Sequence, residues 1–117
     1  MPDSNQPFSG NRNTSVGVND TLAVGGDRSA NVQRNDSTSV MSNQALTVVK
    51  DLDVKVGKHI VIEAGDSLEL VVGHARLTMK KDGTIVLSGR DITIEAGKVS
   101  VKSGSDLVLK GNKVMQN

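Results

Sequence analysis

Two histidines, His59 and His74, are the only imidazoles in a chain that has no cysteine. A threefold assembly would turn each into a ring of three, and three imidazoles can hold a metal ion. There is no His-x-His pair, however, and both residues lie off the parity of the apolar positions described below. Surface imidazoles are therefore expected, and no metal site. Nucleophilic chemistry fares no better. Ser and Thr are plentiful, but no Gly-x-Ser-x-Gly elbow occurs. The carboxylates of Asp51 and Asp53 read as polar residues on the surface of a repeat, not as an acid/base pair. Gly57-Lys58 and Gly97-Lys98 lack the earlier glycine and the following Ser or Thr of a phosphate loop. The residues lead us to expect no catalytic group, no cofactor and no enzymatic activity.

The scaffold that carries these side chains is equally unlike an enzyme domain. The chain has 117 residues, enough for one domain, with 36% apolar residues, one Phe and no Trp or Tyr. Aromatics bury the largest area per side chain, so a compact ball of this length would be poorly filled. Abundant, regularly placed valine argues equally against simple disorder. A net charge of +1, from 14 basic and 13 acidic residues, lacks the electrostatic footprint of a nucleic-acid binder. No apolar run approaches the length of a membrane span. Met1 to Gly10 carry no basic and apolar signal pattern, so any export is expected to bypass the general secretory route.

The organising feature is a repeat of eight. Val16, Val24, Val32, Val40, Val48, Val56, Ala64 and Val72 follow one another at that step, and Gly17, Gly25, Gly57, Gly65 and Gly73 stand directly after five of them. Phe8 falls on the same step upstream. A helix does not return to one face after eight residues, and Val, Thr, Gly, Asn and Asp favour strands and turns. Eight is even, so a short strand and a corner can recur with the same face inward. Parity agrees. Leu52, Val54 and Val56 share a face, as do Ile60, Ile62 and Ala64, and Leu68, Leu70 and Val72, whereas Lys55, Glu63 and Glu69 interleave. After Val72 the phase shifts to pairs at i, i+2: Leu77 and Met79, Ile85 and Leu87, Ile92 and Ile94, Val99 and Val101, Leu107 and Leu109. Gly83, Gly89, Gly97, Gly104 and Gly111 punctuate them.

The early octads are poorer. Their same-face residues include Arg12, Asp20, Arg28 and Asp36, which alternate in sign at a step of eight. This is either a solvated stripe or a ladder of charges between stacked layers. Apolar density rises from residue 46 onward, so the C-terminal half is expected to form first. A lone ribbon of this kind would expose both edges and could not enclose its own valines. It must stack on itself as a solenoid or braid with other copies, and periodicity alone does not separate the two.

The Val-Gly octads at 16–17, 24–25, 56–57 and 72–73 resemble those of the type VI secretion spike proteins, the valine-glycine repeat protein G (VgrG) family, and of contractile phage tail spikes. The segment from His74-Ala75-Arg76-Leu77-Thr78-Met79 through Lys80-Lys81-Asp82-Gly83-Thr84-Ile85 to Asp91-Ile92-Thr93-Ile94-Glu95-Ala96 is similar to the C-terminal end of that needle. The resemblance implies an all-β fold, a homotrimeric, intertwined triangular β-helix. Its core would take Val16, Val24, Val32, Val40, Val48, Val56, Ile60, Ile62, Leu68, Leu70, Val72, Ile85, Leu87, Ile92 and Ile94. About 13 layers at roughly 4.8 Å would give a prism about 60 Å long. The expected organisation is a flexible leader at 1–10, regular octads at 11–73, a shifted-phase β-helix at 74–111 and a tip segment at 112–117.

The resemblance further implies a puncturing needle with a small conical tip protein of the Pro-Ala-Ala-Arg (PAAR) repeat family on its end. Lys113, Val114, Met115, Gln116 and Asn117 would receive it. Effector proteins, and the spike base and tail tube of a longer relative, are the other implied partners. Neither nucleic acid nor stable membrane insertion is expected. The chain would reside in the cytoplasm before the apparatus exports it. The competing expectation is an adhesive or receptor-binding tail-fibre shaft, although the aromatic or loop-rich segments of such a shaft are not visible.

Overall fold

The computed structural model describes residues 7 and 9–116. Of the leader expected at 1–10, only residues 7, 9 and 10 are among them. Phe8 and the terminal Asn117 lie outside the described residues. All regular structure among the described residues is β, in three strands without a helix. The chain divides into two units, Met1–Asp51 and Leu52–Asn117.

The first unit contains no strand among its described residues, and its order is local and periodic. Two-residue bends fall at 9–10, 17–18, 25–26, 33–34, 41–42 and 49–50, with six unbent residues between each pair. From 17–18 onward, each bend begins one residue after a repeat valine. Glycine opens the bends at 17 and 25, whereas Gln33, Met41 and Val49 open the others. The corner therefore suits glycine without demanding it, because positive φ among the described residues is confined to Gly73 and Gly83. Side chains alternate sharply at these corners. Val48 is 44% exposed and the next residue, Val49, is 95% exposed; Val40 and Met41 differ in the same way. The repeat valines are the most sheltered large apolar residues of this unit, and even they are half exposed.

The second unit continues the bends at 57–58 and 65–66 and then changes style. Strands β1 (Ser67–Val72), β2 (Ala75–Lys80) and β3 (Ile85–Ser88) form an antiparallel sheet in that order. Ser67 pairs with Lys80 and Val72 with Ala75 across β1 and β2, and Arg76 pairs with Ser88 across β2 and β3. Where the octad reading has a further corner after Val72, the chain reverses instead. The reason lies in the turn residues. Gly73, at φ +54°, and His74 form a two-residue connection with positive φ at its first position only, the type II′ pattern that matches the strand twist.

The second connection is a three-residue turn with a glycine bulge. The Gly83 N–H donates to the Lys80 carbonyl at 3.0 Å, and the Lys80 N–H donates to the Thr84 carbonyl at 2.9 Å. Gly83 closes it at φ +94°, in a region where a side chain is strained. The Thr84 N–H also donates to Asp82 Oδ1 at 3.0 Å, the local bond that makes Asp a turn former. A bond from the Lys81 N–H to the Asp66 carbonyl, at 2.9 Å, carries the β1–β2 ladder one step past Ser67. The accompanying Lys81–Asp66 ion pair, at 3.8 Å between exposed side chains, adds little.

Two expectations follow for these turns. Gly83→Ala should lower stability by about 1–2 kcal/mol in urea unfolding, and Gly83→Asn, which tolerates positive φ, should lose less. Hydrogen bonding from Thr84, first its side chain and then its backbone N–H, holds the Asp82 carboxyl below its ordinary value of 3.8. The ionised form thus supports the turn. That support is complete above the ordinary value and is lost as pH falls through the lowered one. The Thr84 amide resonance should shift over this acid range, and Asp82→Ala should remove the shift.

Candidate interaction face of the sheet

The alternation of β1, β2 and β3 sorts the sheet into two unlike faces. Pairing sets Leu68, Met79 and Ile85 in one row, Leu70, Leu77 and Leu87 in the next, and Val72 beside Ala75 at the hairpin end. All eight side chains on this face are apolar. The opposite face carries Glu69, Thr78 and Val86 in one row and Val71, Arg76 and Ser88 in another. Thr78, at the middle of the central strand on that second face, is the one buried residue among those described. The flanking strands and the neighbouring long side chains of Arg76 and Lys80 border its depression.

On the apolar face, by contrast, only Leu68 and Leu77 are partly shielded, and Leu70, Val72, Ile85 and Leu87 are open to solvent. No apolar residue among those described is buried. The accessible surface is 13396 Å² for a chain of 12.3 kDa. A compact monomer of that mass exposes about 6,100 Å² and a fully unfolded one about 17,800 Å². The chain by itself thus keeps most of the surface that folding normally removes.

The residues singled out for chemistry are dispersed. His59 stands exposed in the unbent segment after the 57–58 bend, and His74 occupies the hairpin turn. Asp51 and Asp53 are exposed. No three His, Cys, Asp or Glu side chains gather into a possible metal site among the described residues. Where hydroxyls are engaged, they build turns: Ser103 Oγ donates to the Asp106 carbonyl at 2.8 Å and accepts from the Ser105 N–H at 3.3 Å. The apolar series expected in a core is exposed throughout, apart from the partly shielded Leu68. Lys113, Val114, Met115 and Gln116 are exposed beyond a bend at 112.

Leu77 and Met79 are central to the apolar face, yet the core series above omits them. The signal that could have placed them is the turn chemistry on either side, Gly73-His74 before β2 and Asp82-Gly83 after it. With those turns recognised, the i, i+2 spacing of Leu77 and Met79 sets them between the two neighbouring apolar pairs.

What this arrangement can do chemically is present an uncovered apolar sheet face, and a face of that kind is an interaction surface. If copies of the chain associate through this face, Leu77→Asp, which sets a carboxylate at its centre, should weaken that association at least about 100-fold in sedimentation measurements. Glu69→Gln, on the other face, should leave association unchanged.

No protein-family model matches the chain. A stretch of 34 residues, 29% of the chain, is 59% identical to the type VI secretion system spike protein VgrG1b of Pseudomonas aeruginosa. That stretch amounts to 5% of the relative's own length, so the chain spans only a small part of such a protein.

Proposed function

We propose that this chain forms part of the shaft of a type VI secretion spike of the VgrG kind and works mechanically, without enzymatic activity. The observation that carries the reading is the 59% identity over 34 residues to a spike protein, found in a chain whose corners recur every eight residues. The uncovered apolar surface supports the same conclusion. Three copies would braid into a triangular β-helix, each layer taking one octad from every copy, with the repeat valines turned to the axis.

Such a shaft suits axial load. It has short corners and no long loops, and its layers share force among many backbone bonds. Interlocked copies cannot part without breaking many layers at once. In this reading the apparatus exports the spike from the cytoplasm without a signal peptide and drives it through a target envelope. A base and tail tube would lie upstream. The C-terminal segment from Lys113 to Asn117 would seat a PAAR-repeat tip protein, and effectors would travel on either protein. Val114 and Met115 would supply the apolar platform, and unpaired strand edges the hydrogen-bonding groups.

Native mass spectrometry of the intact chain should return about 37 kDa, three times 12.3 kDa. A PAAR-repeat protein should co-purify with it. Deleting residues 112–117 should abolish that capture and leave the mass of the assembly one of three chains. A well-folded species of a single chain would overturn the assembly, and capture that survives the deletion would overturn the docking site.

A further inference from the structure

A repeat of identical valines stacks well but does not say which layer belongs beside which. If one copy slides by a whole octad, valine still meets valine and corner still meets corner. Strand register is weakly specified whenever neighbouring positions look alike. Something other than the valine column has to distinguish the layers of the N-terminal octads, where same-face apolar residues are scarce.

The bends locate such a feature. They divide this region into unbent segments at 11–16, 19–24, 27–32 and 35–40. The repeat valine is the sixth residue of each segment, and the second residue shares its parity. Those second residues are Arg12, Asp20, Arg28 and Asp36. The corresponding places further on are held by Gln44, Leu52 and Ile60. One column thus runs through four charges of alternating sign and a glutamine before turning apolar, and it shares the parity of the repeat valines.

We infer that this column is a register key read between copies of the chain. The inference rests on the braided assembly proposed above, in which neighbouring segments of one prism face come from different copies. In that arrangement adjacent layers lie about 4.8 Å apart. Correct stacking sets Asp20 of one copy against Arg28 of the next, and Arg28 against Asp36. A slip of one octad sets Arg12 against Arg28 and Asp20 against Asp36. Like charges then meet on the side of the ribbon that loses water on assembly, where an uncompensated charge is most costly. A polar residue that fixes register in a coiled coil acts by the same discrimination. The key is the alternation itself, not the sign of any one residue.

Two variants of the full chain separate these properties. The inverted series replaces Arg12→Asp, Asp20→Arg, Arg28→Asp and Asp36→Arg, which keeps the alternation and reverses every sign. The blocked series carries only Asp20→Arg and Arg28→Asp, which keeps composition and net charge but sets like charges side by side. A nitroxide on Gln33→Cys, at an outward corner, reports register through label distances by electron spin resonance. The inverted chain should form trimers with the natural chain's melting temperature and a single label distance. The blocked chain should melt on the order of 5 °C lower, and displacement of a label by one layer, about 4.8 Å, should add a second distance. High salt should narrow the difference in melting. A blocked chain that assembles with the natural melting temperature and a single distance would overturn the key, as would an inverted chain that fails to assemble. If the natural chain has a mass of 12.3 kDa, the assembly reading fails instead, and the key with it.

Discussion

Apolar surface that the chain cannot cover by itself governs the remainder of this molecule. The repeat valines from Val16 to Val56 are half exposed, the eight-residue apolar face of the sheet is largely open to solvent, and no apolar side chain among the described residues is buried. Hydrophobic stabilisation scales with area removed from water, so a chain that removes little gains little against the entropy of ordering. Covering that surface is the requirement that the proposed assembly would meet. With a single aromatic residue, no bulky side chain can fill a core from within.

The two units meet that requirement from different starting points. Strands β1, β2 and β3 make their own hydrogen bonds, held by a glycine-led turn at 73–74 and a bulged turn at 81–83. They form a local platform of defined register with one apolar face. The octads upstream have regular corners but no strand ladder among the described residues. Without a ladder of their own, these octads would depend on the proposed assembly more than the sheet does. This division agrees with the denser apolar content of the later sequence.

A mechanical role is the use we propose for such a design. Among the described residues, the imidazoles and carboxylates are spread along exposed segments. The repeated unit is short, even in number and cornered without long loops, as a load-bearing stack needs. In the assembly we propose, the alternating charges of the early octads would add what uniform valines cannot, a distinction between one layer and the next.

The corners were legible from residue spacing, because an eight-residue step with preserved parity suits short extended segments joined at corners. The bends directly after Val16, Val24, Val32, Val40, Val48 and Val56 follow that step. The break in phase after Val72 was legible too. The reversal of the chain at Gly73-His74 was not read in advance. Glycine after valine means a corner in three earlier octads and a hairpin in this one, and the difference is the positive φ that Gly73 adopts. The alignment of Leu68, Met79 and Ile85, and of Leu70, Leu77 and Leu87, is likewise a property of pairing across strands. Periodicity along one strand states which residues share a face. Only hydrogen bonding between strands decides which neighbours that face will have.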